Sequence, residues 1–485
     1  MTNIYIDITD THANWLNTGI QRTVRNIARH LPELAPHYGC TAAPVVISGT
    51  SIRVIDIGQP SPVRQAATPG QRLAQRIKVR LTTWIDALRG ALIAISPSPT
   101  WANFVMAPRY RPGLSWLIVQ PFVLLQRTAG YVRQAVGIAH TGNQSRSITA
   151  NSGDILLLAD STWSQANVWP AVAEFRYRGG RVVMIVYDLI PISHPDYCNR
   201  SVVSAFSRWI QDSIALVDYY ACISRNTEME LARYLQSLPV ASAAGPLPAS
   251  GYFHLGSDLD LAHALGEPSP DVQDIVASSA AIFLAVGSLE PRKNLSFVLD
   301  AFERAWERDS RARLVIVGHN SWKVDDLIER IQQHPLRGAS LFWLRDASDN
   351  DLEHLYRNAT ALVFASVVEG FGLPVVEALQ RGLPVICSDI PVLREIADGK
   401  AAFFALNDPH QLTEDIFAAI DERALLAQPR RTPHSWPNWR DSTDDLLQKI
   451  CAQFLTKSMN GGPSRNPDFG PGRKTTFSGH HARRL

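Results

Sequence analysis

Short apolar runs alternate with longer segments of mixed polarity from the start of the chain. The runs IYIDI (4–8), GDILLLAD (153–160), GRVVMIVYD (180–188) and DYYACIS (218–224) are rich in branched and aromatic residues, which is typical of buried parallel strands. The segment TGIQRTVRNIARHL (18–31) instead places apolar residues at helical spacing. The first half therefore predicts a strand, a glycine turn and a helix, followed by further strands between helices.

The second half repeats this rhythm more regularly. AIFLAVG (281–287), RLVIVG (313–318), SLFWL (340–344), ALVFAS (361–366) and PVICSD (384–389) are predicted strands, and LSFVLDAFERAW (295–306) is a predicted helix between two of them. This pattern predicts an α/β fold of two Rossmann-like, doubly wound domains facing a central cleft.

Proline and glycine near PLPAS (246–250) and GEPSPD (266–271) mark the predicted boundary between the domains. We predict an N-terminal domain over 1–255 and a C-terminal domain over 256–430. A C-terminal helix is predicted over 431–457, where apolar residues follow a tryptophan-rich start. Residues 458–485 have almost nothing to bury and are predicted to be disordered.

Composition narrows the class of protein without identifying it. The 485 residues are 46% hydrophobic and 19% charged, and a formal net charge of +2 is too small to indicate nucleic-acid binding. The five cysteines are widely spaced and form no metal-type motif, which favours reduced thiols. The N-terminus is acidic where a signal peptide is cationic, and no apolar run approaches about 18 residues, so we expect a cytoplasmic protein.

A basic and aromatic insertion is predicted at about 65–150. From Gln71 to Arg146 the chain has ten Arg or Lys and one acid, Asp86, interleaved with tryptophan, phenylalanine and tyrosine. Such a surface suits peripheral contact with an anionic membrane. An ordinary insertion packed on the first domain explains the same residues, and the sequence leaves both interpretations open.

The richest motif is ALVFASVVEGFGLPVVEALQRGLPVICSD (361–389). A buried strand is followed by a glycine turn that carries Glu369 and by a helix that carries Glu377. Both carboxylates, and the backbone N–H groups of Phe371, Gly372 and Leu373, are predicted to face the crevice beyond the strand ends. Carboxylates suit sugar and ribose hydroxyls, and N–H groups suit phosphate or sugar oxygens. Alternatively, Glu377 complements the helix dipole and Glu369 is solvated.

A second motif, AIFLAVGSLEPRKNLSFVLDAF (281–302), places Arg292 and Lys293 in the loop after a strand. Adjacent cations at that edge neutralise a diphosphate, and they stabilise the charge that grows on such a leaving group. A solvated surface pair is the alternative.

Together these motifs resemble the retaining GT-B glycosyltransferases of group 1. The resemblance lies in GSLEPRKN, in the two glutamates framing GFGLPVV, and in the stretches LVIVGHNSW and LFWLRDASDNDLEHLY. It is convincing over about 280–405. In that family the two glutamates contact the donor sugar and ribose, and the Arg-Lys pair grips the diphosphate. The resemblance therefore implies a catalytic role for Glu369 and donor binding by Glu377, Arg292 and Lys293.

Two segments of the first half match the family less completely. TGIQR (18–22) resembles the glycine loop that approaches donor phosphates and acceptor, which implies substrate binding at Gly19. VYDLIPISHP (186–195) occupies the place of a His-Asp pair near the reacting sugar. Tyr187 replaces that histidine, and Asp188 remains as a candidate catalytic or acceptor-contacting residue. Asp188 as a plain turn former is the alternative.

The sequence therefore predicts a retaining hexosyltransferase of cell-surface polysaccharide synthesis, with mannose from GDP-mannose as one donor. The predicted partners are a nucleotide-sugar donor and a saccharide or lipid-linked acceptor, with no cofactor. Asp258-Leu259-Asp260 and Asp349-Asn350-Asp351 match DxD, but this short pattern arises often by chance and we assign no metal site. A nucleotide-sugar epimerase of similar build and a catalytically silent scaffold are the alternatives.

Overall fold

The computed structural model describes residues 1–13, 18–55, 147–164, 168–238, 247–258, 266–308, 311–425 and 433–455. The predicted basic insertion at 65–150 lies outside these ranges except for its last four residues. The predicted tail at 458–485 also lies outside them. The predictions for both segments stay predictions.

The first lobe is built on a seven-stranded sheet with the order β3-β2-β1-β4-β5-β6-β7, parallel except where β2 pairs with β3. Its strands are β1 (Thr2–Asp7), β2 (Cys40–Ser48), β3 (Ser51–Val54), β4 (Ile155–Leu158), β5 (Arg181–Val186), β6 (Tyr219–Cys222) and β7 (Ala249–Tyr252). Its described helices are α1 (Thr9–Ala13), α2 (Gly19–Leu34), α3 (Trp169–Tyr177), α4 (Ile190–Ser193), α5 (Arg200–Ser213) and α6 (Arg225–Ser237).

The second lobe is built on a six-stranded, all-parallel sheet with the order β10-β9-β8-β11-β12-β13. Its strands are β8 (Ala281–Val286), β9 (Ala312–Val317), β10 (Leu341–Leu344), β11 (Ala361–Phe364), β12 (Val385–Ser388) and β13 (Ala402–Phe404). Its described helices are α7 (Pro270–Val276), α8 (Leu295–Arg308), α9 (Asp325–Gln333), α10 (Asp349–Asn358), α11 (Leu373–Gln380), α12 (Pro391–Ala397) and α13 (Pro409–Leu425).

Both sheets are covered by helices, which is why the central strands are continuous apolar runs. Every residue of β4, β6, β11 and β12 is buried. Each lobe has its own core, one around the β4–β6 strands and one around β8, β9 and β11. The predicted α/β fold with two doubly wound sheets is confirmed.

Each sheet has a point where the strand order reverses, between β1 and β4 in the first and between β8 and β11 in the second. Ligands of open α/β sheets bind in the crevice beyond the strand ends at such a point. The loop with Arg292 and Lys293 follows β8, and the turn with Glu369 follows β11. Topology alone therefore brings the two motifs of the second lobe together.

The last described helix, α14 (Trp439–Phe454), runs from the second lobe back to the first and packs along α2. Trp439 is fully buried, and its backbone fits only because Gly256 beside it has no side chain. The two sheets belong to one compact unit. Within the described ranges, each helix is too short or too polar to cross a lipid bilayer.

Candidate active site

A buried ion cluster joins the two motifs of the second lobe. Oε1 of the Glu369 carboxylate lies 2.5 Å from Lys293 Nζ, and Oε2 lies 2.8 Å from Arg292 Nη1. Ser366, at the end of β11, donates its hydroxyl to Glu369 Oε1 at 2.8 Å, and Arg292 Nε also contacts Glu290 at 2.8 Å. The Glu369 side chain is only 9% exposed. The alternatives of a solvated turn glutamate and a solvated cation pair do not describe this geometry.

The local backbone explains how adjacent cations both point into the crevice. Pro291–Lys293 form a single 3₁₀ turn, and Asn294 ends it in the left-handed conformation with φ 54°. The Arg292 carbonyl then accepts a hydrogen bond from the N–H of Val367, which ties this loop to the turn after β11 at 2.8 Å. The two loops are therefore fixed to each other by backbone as well as by charge.

The ionisation of the cluster follows from burial and pairing. Burial alone raises the pKa of Glu369, but Arg292 and Lys293 outweigh that effect and bring the pKa to about 2. Burial lowers the pKa of Lys293, and Glu369 only partly offsets it. We expect an ionised Glu369 at neutral pH that acts as the counter-ion for two buried cations.

Asp188 reaches this cluster from the first lobe. It follows β5, and Arg292 and Glu369 are both close enough to influence its ionisation. Burial raises the pKa of Asp188, and Arg292 partly reverses that shift. Asp188 Oδ1 also accepts the N–H of Ile190 at 3.0 Å, which forms a turn just before the short helix α4. The carboxylate therefore forms a turn and is also close enough to Arg292 of the second lobe to interact with it electrostatically.

Tyr187, which precedes Asp188, turns its hydroxyl toward the first lobe. Its hydroxyl donates to the carbonyl oxygen of Ala159 at the end of β4 at 2.6 Å. Burial raises the pKa of Tyr187 well above its usual range. The neutral side chain therefore joins two strands of the first lobe through this hydrogen bond.

The two glycines of the GFG turn are each required by a different structural feature. Gly370 lies against Tyr187 of the first lobe, and its carbonyl accepts the hydroxyls of Ser224 at 2.8 Å and Thr227 at 3.2 Å. Gly372 has φ 115°, a conformation that side chains disfavour, and it precedes α11.

The start of α11 presents backbone rather than side-chain donors. No described residue accepts a hydrogen bond from the N–H groups of Phe371, Gly372 or Leu373. The Phe371 ring is buried and packs between His254 and Trp436, at centroid distances of 5.9 and 6.0 Å. Any contact of Phe371 with a ligand would therefore come from its backbone.

Glu377 forms a second centre on α11, separate from the Glu369 cluster. It is 2% exposed, and its Oε2 accepts the Tyr356 hydroxyl at 2.7 Å. Its Oε1 pairs with Arg22 of the first lobe. Gly19 begins α2 one turn before Arg22, and a Cβ at Gly19 would stand 3.6 Å from Leu373 Cδ1. The predicted glycine loop therefore lies directly against the start of α11.

One aspartate of each DxD match accepts hydrogen bonds from the surrounding protein backbone. Asp351 belongs to a capping box with Ser348 at the start of α10, and its Oδ1 accepts the N–H of Ser269 at 2.6 Å. Asp258 Oδ1 accepts the N–H of Trp439 at 2.7 Å. The part of the chain that the structure describes contains no group of three or more potential metal-ligating side chains.

Sequence reasoning missed four residues of these two centres. Glu290 lay inside the quoted motif GSLEPRKN, and Arg22 lay inside TGIQR, but neither was singled out. Ser366 and Tyr356 gave no signal beyond their places at the end of a strand and in an amphipathic helix. Their roles depend on contacts between segments distant in sequence.

A cavity of about 410 Å³ lies beside the cluster, between the loop after β8 and the start of α9. It is lined by Glu290, Asn294, Lys323 and Asp325 among others, and not by Arg292, Lys293, Glu369 or Glu377. It adjoins the cluster through Glu290, which also pairs with Arg292.

Comparison with known proteins places these residues in a family context. Residues 273–432 match the family model of "Glycosyl transferases group 1". The chain is 34% identical over 307 residues to the serotype-specific mannosyltransferase WbdA of Escherichia coli, an alignment that covers 61% of this chain and 37% of WbdA. It is 36% identical over 127 residues to the O-antigen chain mannosyltransferase RfbU of Salmonella typhimurium, covering 26% of this chain and 35% of RfbU.

Solved structures agree on the fold. The structure of Anabaena HepE in complex with UDP-glucose is similar with a TM-score of 0.50 and 12% identity, over 95% of this chain and 97% of that one. The chain spans little more than a third of the length of the WbdA proteins it matches. Residues 273–432, which carry Arg292, Lys293, Glu369 and Glu377, match the model of the glycosyl transferases group 1 family, and the chain has a GT-B fold and a sequence similar to bacterial mannosyltransferases.

Proposed function

We propose that this chain is a retaining glycosyltransferase that moves a hexose from a nucleotide-sugar donor to a saccharide or lipid-linked saccharide acceptor. The observation that carries the proposal is the buried cluster in which Arg292 and Lys293 meet Glu369 at the strand-order reversal of the second sheet. Scaffolding needs no such cluster, because an isolated buried ion pair adds little stability over apolar packing.

The two cations of the cluster have enough N–H groups to bind a diphosphate in addition to their carboxylate partners. A lysine ammonium carries three donors and an arginine guanidinium five, so pairing with Glu369 and Glu290 leaves donors on both cations. Fixed cations stabilise a departing diphosphate more than the intact donor, because negative charge grows on it as the glycosidic bond breaks. The N–H groups at the start of α11, for which the described residues supply no acceptor, offer further donors to phosphate or sugar oxygens.

The first lobe supplies the acceptor side in this proposal. Asp188 is close enough to Arg292 across the lobe boundary to interact with it electrostatically, and we assign it the contact with an acceptor hydroxyl. The departing phosphate takes the acceptor proton, and the new bond forms on the face from which the nucleotide left. Contact between the lobes excludes water, which would otherwise hydrolyse the donor.

Mannose is the sugar to test first, because WbdA and RfbU are both named as mannosyltransferases. We propose GDP-mannose as donor, polysaccharide synthesis at the cytoplasmic face of the membrane as the setting, and no divalent metal or other cofactor. The basic and aromatic composition of residues 65–150 supports peripheral contact with anionic lipid.

The test is a thermal-shift screen of the purified chain against GDP-mannose, UDP-glucose and their nucleoside diphosphates, with and without EDTA. A bound donor raises the melting temperature by ligand linkage. Arg292→Gln and Lys293→Gln should abolish the shift, whereas Arg308→Gln, in an exposed pair with Glu414, should keep it. An unchanged shift in both site variants would refute the diphosphate site, and loss of the shift with EDTA would refute metal independence.

Turnover separates the alternatives. A transferase consumes donor productively only with acceptor, an epimerase converts donor without one, and a silent scaffold does neither. Donor consumption and product identity, followed by chromatography with and without a mannan oligosaccharide, distinguish the three.

A further inference from the structure

The Glu377 carboxylate is held by both lobes at once. Tyr356 of the second lobe donates to Oε2 at 2.7 Å, and Arg22 of the first lobe pairs with Oε1. Glu377 is 2% exposed and the Arg22 side chain is 17% exposed, so water contributes little to fixing this carboxylate. Its orientation therefore depends on a residue that belongs to the opposite lobe.

Arg22 is itself oriented by a second contact. Its Nη1 faces Glu377, and its Nη2 donates to the carbonyl oxygen of Asp258 at 3.1 Å. The planar guanidinium is therefore fixed by two acceptors at once, a geometry that a lysine ammonium cannot reproduce. Arg22 lies in the first turn of α2, where the helix backbone fixes its Cα.

Asp258 is in turn anchored to the helix that crosses between the lobes. Its carbonyl oxygen accepts Trp439 Nε1 at 2.9 Å, and its Oδ1 accepts the Trp439 N–H at 2.7 Å. Trp439 is fully buried at the start of α14. Three segments distant in sequence therefore meet at Arg22: the start of α2, the connection between the lobes and α11.

We propose that Arg22 is a positioning residue that sets the Glu377 carboxylate for the donor and thereby links donor affinity to contact between the lobes. This inference rests on the proposed function, because it takes Glu377 as the carboxylate that accepts donor hydroxyls. A carboxylate has about four lone-pair sites, so its bonds to Arg22 and Tyr356 leave capacity for a donor hydroxyl. Separation of the lobes withdraws Arg22 and leaves Glu377 held by Tyr356 alone.

The linkage has a direct thermodynamic consequence. A ligand that binds only the correctly oriented carboxylate favours the state in which the lobes touch, and it binds more weakly when that state is less populated. Loss of Arg22 should therefore weaken donor binding although Arg22 itself needs no contact with the donor.

The experiment is a double-mutant cycle on the full chain with Arg22→Gln, Glu377→Gln and the double variant. Isothermal titration measures the Kd of GDP and of GDP-mannose. Each single change should weaken binding by about tenfold, as expected for loss of a hydrogen bond to a charged group, and the double variant should be no weaker than either single one. Arg22→Lys should recover only part of the loss.

Tyr356→Phe is the matched comparison, because it removes the hold on Glu377 from within the second lobe. Small-angle scattering with and without GDP should show a reduced ligand-induced compaction in Arg22→Gln and a wild-type compaction in Tyr356→Phe. In turnover assays Arg22→Gln should raise KM more than it lowers kcat, a split that general loss of folded protein does not produce.

The outcomes separate this inference from the proposed function. Absence of nucleotide binding by the wild-type chain refutes both. If the wild type binds nucleotide but the losses of affinity in the two single variants add in the double variant, only the positioning role is refuted. The same holds if Arg22→Gln binds with wild-type affinity. Equal compaction of Arg22→Gln and wild type refutes the link to lobe contact.

Discussion

Gly370 of the second lobe lies so close to Tyr187 of the first that a Cβ on Gly370 would stand 2.0 Å from the Tyr187 carbonyl oxygen. The same glycine's carbonyl accepts hydroxyls of Ser224 and Thr227 at the start of α6. The turn that carries Glu369 is therefore docked onto the first lobe through the backbone of Gly370. A change in the contact between the lobes should consequently also change the geometry of the candidate site.

Gly370→Ala should prevent this docking while leaving each lobe folded. The added methyl group cannot fit against backbone, so the lobes must separate locally, and we expect turnover to fall by at least about a hundredfold, as a 1 Å misplacement does in other enzymes. The measurement is kcat/KM with the best donor of the screen. Gly266→Ala is the control, because its nearest neighbour is a flexible Asn350 side chain at 3.8 Å. Equal activity of the two variants would contradict the docking.

Glu369→Gln should destabilise the fold in a pH-dependent way. The variant removes the carboxylate that pairs with the buried Lys293 and leaves Arg292 paired with Glu290, which costs about 3 kcal/mol near neutral pH. The pKa of Glu369 is about 2 in the folded chain and 4.5 in the reference state, so its contribution is complete above about pH 4.5 and is lost as the pH falls toward 2.

Urea unfolding at pH 7, 5, 4 and 3.5 measures this contribution. The gap in unfolding free energy between wild type and Glu369→Gln should be constant at pH 7 and 5 and should narrow at pH 4 and 3.5. Glu414→Gln, which removes an exposed partner of Arg308, should change stability by less than about 1 kcal/mol at every pH. A gap that widens on acidification would contradict the ionised state of Glu369.

Glu395→Ala should loosen a different contact between the lobes. The Glu395 carboxylate on α12 accepts the N–H groups of Arg225 and Asn226 at 2.8 and 2.9 Å and His254 Nε2 at 2.8 Å. It therefore serves as a cap for α6 supplied by the other lobe. Its loss should cost about 1 kcal/mol, the usual value for a helix cap.

Limited proteolysis and urea unfolding test this role of Glu395. The variant should be cleaved faster than wild type, and saturating donor should restore resistance by favouring contact between the lobes. Wild-type stability together with wild-type protease resistance would show that the cap is dispensable.

Tyr187→Phe should separate structure from chemistry at the position where the sequence resemblance implies a histidine. The hydroxyl donates to the Ala159 carbonyl, so its removal leaves a carbonyl unsatisfied and should cost about 1–2 kcal/mol of stability. KM and kcat should stay within about twofold, since the ring and backbone next to Gly370 remain. A large fall in kcat without a change in melting temperature would instead assign the hydroxyl to catalysis.

All nine strands expected from apolar runs are present, because burial on both faces of a parallel sheet imposes continuous apolar sequence. Four strands gave no such signal: β2, β3, β7 and β13. β2 contains Pro44 and only half-buried residues at its centre, while β3, β7 and β13 lie at sheet edges. Edge strands are covered on fewer sides, so their sequences are less constrained.

The sequence by itself determined the two doubly wound lobes and the convergence of Arg292, Lys293 and Glu369, because strand order carries both loops to one edge of one sheet. Only the tertiary structure decided that Glu377 forms a separate centre, that Tyr187 points into its own lobe, and that Arg22 reaches Glu377. Those relationships depend on how two lobes meet, and no local periodicity encodes a contact between residues 355 positions apart.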